Sequence, residues 1–542
     1  MSISAKDIIR IKEDMKSKKN NFDEYAQQAA KFCLPSKAKI TVKKGEGEKV
    51  DTDLYDSTGI DSAQILAAGL QTYLTSPYSQ WFQIGFKKRE HQENKELQEW
   101  AVQTGEFVYD ALNSSNFNRN MAEFYRDLAV LPGATLYKEK DPLEYFRFLT
   151  IPFDEVLIMQ NSRGIIDTVY RTFEYNVYEA YDRWKEKAGS EIAELWSKNK
   201  YQDKFDFVHA VAPRYERRAG SKLAKDMPFY SCFVLENKKT KIEEGGYKRN
   251  PYYIGRWGKI TGETWGYTPA MISLPDMLML NKMDETTVIA AEMAVAPPWM
   301  FPDEDFMRPM NMSAGGVNYR TGGPLDRGNM PYPMVSQSNF PIATEMIDRR
   351  KQSIEKKFFV NLFMINYGEK DKTAYEIAQQ AQRHMLILGA VIGDVIKEVL
   401  EPVLIDVMQD LYEAQQLPEV PVEGLSFEDI LFNYVSPLAI AQKAAKAQNT
   451  NAFLSIVMQM ATIVPSALQK IDWDYAIDDL AKTQSVSPKI LVDADKLKGI
   501  REAEAKQKQD ANQVLMAQAA GDAMKKVGEG GQAMMPKPEV KK

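Results

Sequence analysis

Two helical stretches of equal length, residues 276–296 and 342–362, flank a segment rich in Pro, Gly and Met, and this arrangement limits the fold more than any other feature of the chain. The first carries Leu280, Met283, Thr287, Ala291 and Ala294 at helical spacing and ends at Pro297-Pro298, where a helix cannot continue. The second places Ile347, Ile354, Phe358 and Phe359 on one face. At 1.5 Å per residue each is about 30 Å long. Equal helices with an insertion at the far turn predict an antiparallel stalk tipped by a small module, residues 297–341, in which Ser313–Arg320 supplies a strand. Periodicity alone also admits two unrelated core helices joined by a surface loop, although connections this long are uncommon unless functional.

The sequence on either side differs in character. Residues 1–35 read as a charged helix and 36–53 as a polar loop. A helix over 57–75 opens at Thr58 with Asp61 three residues on, the spacing of a capping box, and its apolar face runs through Ile60, Ala63, Leu66, Leu70, Tyr73 and Leu74. Further helices are predicted over 91–113 and 117–131. From 132 to 260 the pattern turns to short strands: Ala134–Lys138, Phe146–Ile151, Glu155–Gln160, Thr168–Phe173, Phe205–Pro213 and Phe229–Glu236, interrupted by one helix near 176–198. The fold class is therefore α+β, mainly helical. After the stalk, a second capping box at Thr373-x-x-Glu376 starts a long helix whose apolar positions include Ile377, Met385, Leu388, Ile392, Ile396, Leu400, Val407 and Leu411. Straight, it would span about 65 Å. Pro402, with Gly389 and Gly393 before it, predicts a bend instead. Helices near 437–460, 465–483 and 492–526 follow, and residues 527–542 read as disordered.

Chemistry is nearly absent. The 542 residues are 44% hydrophobic and 27% charged, an ordinary globular balance, and no run of apolar residues is long enough for a membrane helix. The polar N-terminus predicts no signal peptide. A net charge of -6 argues against a general basic surface for nucleic acid. Cys33 and Cys232 cannot make a disulfide framework, and His91, His209 and His384 leave little for acid–base or zinc chemistry. Phosphate-loop, nucleophile-elbow and zincin motifs are missing; the nearest phosphate-loop candidate, Lys44–Lys49, has the wrong spacing. Pro302-Asp303-Glu304-Asp305 reads as an acidic surface turn rather than a magnesium site, and His384, inside the long helix beside Arg383, as a partly exposed interface or core histidine rather than a catalytic one. No catalytic residue, cofactor or metal is expected. Arg349, Arg350, Lys351, Lys356 and Lys357 form a basic run on the second stalk helix, which Glu345, Asp348 and Glu355 temper at i,i+3 and i,i+4.

Three ordered blocks resemble the portal, or head-to-tail connecting, proteins of short-tailed, podovirus-type bacteriophages. The first is Tyr55-Asp56-Ser57-Thr58, Leu66-Ala67-Ala68-Gly69-Leu70, Leu74-Thr75-Ser76-Pro77 and Trp81-Phe82. The second is Pro251-Tyr252, Arg256-Trp257, Glu263, Trp265-Gly266, Pro269-Ala270-Met271 and Leu274-Pro275-Asp276; the third is Thr373-Ala374-Tyr375-Glu376 with Pro402. The resemblance spans residues 1–440, and beyond them only the helical character matches. Gly59, Asp61 and Ser62 stand where Ala, Arg and Ala are expected, and Trp265 where Tyr is commoner.

The resemblance implies a homo-dodecameric ring at one capsid vertex, through which double-stranded DNA is packaged and ejected and to which the tail is joined. Carried onto this chain it gives a wing (1–274), stem helices (275–296 and 342–362), a clip (297–341), a channel loop (363–372), a long kinked helix (373–416), a helical crown (417–526) and a disordered tail (527–542). In the channel loop it points to Asn366, Tyr367, Gly368, Glu369, Lys370, Asp371 and Lys372, and in the clip interface to Met300, Phe301, Met307, Met310 and Met312, with the basic run on the stem. Implied partners are further copies of the chain, major capsid and scaffolding proteins, the large terminase subunit, a tail adaptor and double-stranded DNA passing without sequence specificity; no membrane is implied. The implied location is the virion's portal vertex, with host cytoplasm during assembly. An acidic balance suits a channel in which DNA must slide rather than be held. The competing readings are a tail-adaptor or scaffold-type virion protein and a DNA-processing packaging enzyme, which would need the motifs found missing above.

Overall fold

The computed structural model describes residues 4–364 apart from 43–44, 46, 49–52, 142–144, 219, 222, 304–310, 322–331 and 335–339; residues 388–434 apart from 390, 422–424 and 426–428; and 450–461, 464, 471–483, 492, 496–504 and 506–507. Two compact units divide at Leu438.

Helix α1 (Ala5–Cys33) begins where the Ser4 hydroxyl accepts the Asp7 amide at 3.2 Å. Helix α2 (Thr58–Leu74) lies where the sequence predicts it, but the Thr58–Asp61 capping box does not form. Thr58 is already the first helical residue, one place too late to cap. Asp56 takes over, accepting the Thr58 amide at 2.9 Å and its hydroxyl at 3.0 Å. The helix expected over 91–113 is divided into α3 (Arg89–Glu93) and α4 (Lys95–Ser114), because the Asn94 side chain accepts the Leu97 amide and starts a new helix. Helix α5 (Phe117–Val130) follows directly.

The strand region holds two sheets. In the first, β2 (Ala134–Asp141) lies between β3 (Tyr145–Ile151) and β9 (Tyr252–Gly255). The second is an antiparallel meander of β4 (Val156–Gln160), β5 (Ile166–Asn176), β6 (Lys204–Pro213), β7 (Phe229–Leu235) and β8 (Thr240–Tyr247), in chain order. The helix expected near 176–198 is two short ones, α6 (Val177–Trp184) and α7 (Ser190–Ser197), because Lys185 and Gly189 take positive φ between them. One face of the meander is covered by Ile8, Ile9 and Met15 of α1, and the other by Trp184, Ala188 and Ile192. In its middle, buried His209 bridges the Tyr252 hydroxyl (2.7 Å) and the Ser231 hydroxyl (2.9 Å) and stacks on Phe233; burial holds its imidazole well below the usual range.

Helix α8 (Pro269–Val295) starts seven residues before the predicted stretch, with Pro275 inside it. A proline removes one amide donor and leaves the carbonyl four residues back without its helical partner. Here that carbonyl belongs to Met271, and the Tyr25 hydroxyl of α1 donates to it at 3.3 Å. Helix α9 (Phe340–Lys357) is shorter than expected: Phe359 adopts φ 57°, and a single turn, α10 (Val360–Phe363), follows. Phe363 of that turn lies on α2. A methyl group built on Gly69 would stand 2.6 Å from Phe363 Cε1, so only glycine leaves room for the ring. Gly59 has a similar reason. A Cβ there would meet Phe32 O and Met277 Sδ, each at 2.8 Å, where α1 and α8 cross α2.

The predicted channel loop and the start of the long helix, residues 365–387, lie outside the described residues, and with them Asn366–Lys372 and His384. From 391 the chain is helical, passes through a π-helical turn at Ile396–Leu400 and continues as α11 (Glu401–Glu413). The wider turn ends just before Pro402, which then occupies the start of a helical segment, where its missing donor is tolerated. Val399, Leu400, Val403, Leu404 and Val407 enter the main core beside Phe124, Leu128, Leu136 and Ile254. The buried Arg256–Glu398 pair (2.5 Å) and the Lys138–Asp410 pair (2.5 Å) fix the same helix to the first sheet. A sheet the sequence did not foretell closes the core: β1 (Phe82–Phe86) pairs with β13 (Ile430–Tyr434), Phe82 opposite Tyr434. In the second unit, residues 450–461 and α12 (Trp473–Thr483) are helical, and Arg501 makes a two-pronged bond to Asp474 at 2.6 and 2.7 Å.

Candidate interaction site on the stalk

Helices α8 and α9 pack along each other, with Met277 and Leu280 of the first and Ile347 and Ile354 of the second buried. Above this apolar seam sits a charge cluster centred on Asp276. Arg350 Nη1 donates to its Oδ1 at 2.8 Å; Lys357 Nζ and the Ser353 hydroxyl donate to Oδ2 at 2.7 and 2.8 Å. Burial pushes the Asp276 carboxyl up, but the Lys357, Ser353 and Arg350 bonds outweigh it and hold the group below the usual carboxylate range. On the same helix, Lys351 pairs with Asp56 at 3.2 Å. The segment that carries Asp56 is strapped across α8, where Asn281 accepts the Tyr55 amide and donates to the Asp53 carbonyl.

The basic run thus divides. Arg349 pairs with Glu345 within its own helix at 2.7 Å, as the i,i+4 spacing predicts. Arg350, Lys351 and Lys357 instead reach carboxylates that lie far away in sequence. Lys356 is exposed and has no ion partner among the described residues. No spacing rule links Asp56 and Asp276 to the basic run. Both do fall inside the blocks that carry the family resemblance, and that was the one available signal. Asp276→Asn should lower the unfolding midpoint by several degrees, because it leaves Arg350 and Lys357 facing a neutral group. The loss should shrink in high salt, since these cations are partly exposed and screened. A midpoint shift that salt leaves untouched would count against this account.

At the far end of the stalk stands a three-stranded sheet. Strand β10 (Trp299–Asp303) lies parallel to β11 (Val317–Thr321) and antiparallel to β12 (Tyr332–Pro333). The strand expected at 313–320 is therefore real but begins at Val317. The buried Asn318 accepts the Asn311 amide at 2.5 Å and donates to its carbonyl at 2.7 Å, closing the turn before β11. Of the apolar residues expected at the tip, Met300 is buried within this sheet, Phe301 is half-buried and Met312 is exposed; Met307 and Met310 lie outside the described residues.

Beyond the tip, α8 carries apolar side chains in solvent: Ile272, Leu278, Met279, Val288, Ile289 and Val295 are all exposed. At about 100° per residue, Val288 and Val295 point to one side, Leu278 and Ile289 to a second, Ile272 and Met279 to a third. Among the described residues no group of His, Cys, Asp and Glu is placed to hold a metal ion, and no helix is long and apolar enough to cross a membrane.

Residues 5–491 match the family model of the bacteriophage head to tail connecting protein. The chain belongs to that family. It is 23% identical over 523 residues to the portal protein of Salmonella phage epsilon15, covering 95% of this chain and 94% of the relative. It is 24% identical over 522 residues to the "Probable portal protein" of Bordetella phage BPP-1, covering 95% and 93%. The function is that of a phage portal, a structural connector between head and tail.

Proposed function

We propose that this connector acts as a closed ring of identical subunits, set at one capsid vertex, through which double-stranded DNA enters and leaves the head. The exposed apolar groups on three sides of α8 carry the reading. Exposed apolar groups gathered along one helix in this number mark a surface that another molecule covers. A stalk flanked by a neighbouring stalk on each side, as in a ring, would cover these groups, whereas a simple two-fold dimer would cover one side. In this reading α8 and α9 form the stem, residues 297–341 form the clip that meets the packaging motor and the tail adaptor, and Asn366–Lys372 form a loop reaching into the channel. The ring is dodecameric in the virion, contacts capsid and scaffolding proteins during assembly in the host cytoplasm, and performs no catalysis itself.

Negative-stain imaging and mass photometry of the pure protein test this. The parent should give rings with a central hole. Val288→Asp/Ile289→Asp, which touches two sides of α8 and no buried residue, should give folded single subunits. A parent that stays monomeric at micromolar concentration would sink the ring, and a double variant that still forms rings would remove α8 from the subunit interface.

A further inference from the structure

We infer that the loop joining β6 to β7, residues 214–227, binds the phosphate backbone of double-stranded DNA. Its sequence, RYERRAGSKLAKDM, holds five basic residues against two acidic ones in a chain whose net charge is -6. The loop's ends are cross-strand partners, Pro213 opposite Phe229, so its charges are gathered at one end of the meander. Internal bonds then fix it. Arg214 is spent on the scaffold: its Nη1 donates to the Ala224 carbonyl at 3.0 Å, its Nη2 to the Gly245 carbonyl at 3.3 Å, and its amide to the Pro228 carbonyl at 2.7 Å. The Asp226 amide donates to the Leu223 carbonyl, and the Ser221 amide to the Arg218 carbonyl. Gly246 of β8 lies directly beneath, where a Cβ would stand 2.8 Å from Met227 Cβ.

This scaffold leaves three cations outward. Arg217, Arg218 and Lys225 are exposed, and none is within ion-pair distance of a carboxylate among the described residues; Asp226, buried at the loop's base, is held below the usual carboxylate range by a Ser221 hydrogen bond and by the nearby Lys225 and Arg218 charges, which it tempers without capturing. Tyr215 beside them is 90% exposed, placed to lie along a sugar–phosphate edge. An acidic protein surface is the other anion such a loop could meet, but exposed pairs with single carboxylates contribute little. DNA differs, because each phosphate neutralised releases condensed counterions, so three fixed cations give measurable binding. DNA is also the polyanion that a portal meets.

The test is fluorescence anisotropy with the full-length protein and a labelled duplex of about 30 base pairs, titrated from about 50 to 200 mM NaCl. Arg217→Ala/Arg218→Ala/Lys225→Ala should reduce the slope of log affinity against log salt by about 2–3, near 0.9 for each lost contact. A control that removes three exposed lysines of α1, Lys6→Ala/Lys16→Ala/Lys18→Ala, should keep the parental slope. Absence of binding by the parent, an unchanged slope in the loop variant, or an equal loss in the control would overturn the inference. So would displacement of the duplex by poly-glutamate at equal charge concentration, which would assign the loop to acidic protein instead. Binding is read without reference to rings, so failure here leaves the portal reading standing, and failure of rings leaves this one.

Discussion

Replacing Lys37 with methionine should cost the protein about 3–5 kcal/mol at pH 8, the range seen when one partner of a buried ion pair is removed, and clearly less at pH 5. Lys37 Nζ donates to both oxygens of Asp127, at 2.8 and 2.7 Å, and Asp127 on α5 is only 1% exposed. Burial pushes the Asp127 carboxyl up to about 6 even with Lys37 beside it. An acid whose folded value exceeds its unfolded one binds protons more readily when folded, so its contribution improves as pH falls through that window. Without the lysine the carboxyl rises further, the window opens at higher pH, and acid repairs more of the damage. His209 works in the opposite direction, because its imidazole is buried neutral and stability is lost as pH falls below its unfolded value of about 6.5. That loss is common to parent and variant and cancels in their difference. Urea unfolding of both proteins at pH 5, 6.5 and 8 decides the matter: a cost that is the same at all three would show that Asp127 is not left charged and alone.

Gly69→Val should be nearly as damaging, and its damage should depend on one distant residue. The new side chain must enter the space of the Phe363 ring. Overpacking of this kind costs about 1–3 kcal/mol, occasionally more, and here it also unseats the single turn α10. Phe363→Ala alone loses the ring's contacts with Tyr73 and the floor of α2. The two changes together should be far less harmful than their sum, since the valine then occupies space the ring has left. Thermal unfolding of the two single variants and the double variant measures this. Strict additivity would show that the tight approach at Gly69 is not what the glycine is there to permit.

Helices α8 and α9 were legible because their evidence is local. Apolar spacing marks α8 and α9, and Pro297-Pro298 stops the first of them, whatever the rest of the chain does. Local rules failed where a distant group replaced the expected partner. Pro275 should have started α8 rather than lain inside it, but the Tyr25 hydroxyl supplies the missing donor. Thr58 and Asp61 have capping-box spacing, yet Asp56 does the capping. Helix α9 should have run through Phe359, yet it stops at Lys357; Phe359 takes a left-handed φ, and Phe363 of the next turn packs on Gly69. The cations of 214–227 were visible as a run of letters, but which of them are free depends on the carbonyls that Arg214 meets.

By itself, then, the sequence determined most element types, the order of α8, the tip segment and α9, the absence of catalytic motifs and the family, because periodicity, breakers and ordered motif blocks act over a few residues each. Tertiary structure alone decided the pairings. Arg350 and Lys357 meet Asp276, Lys351 meets Asp56, Arg256 meets Glu398, and β1 meets β13 across most of the chain's length. The physical reason is that a side chain's charge or shape states what kind of partner it needs, while burial and chain path determine which of many such partners comes within reach.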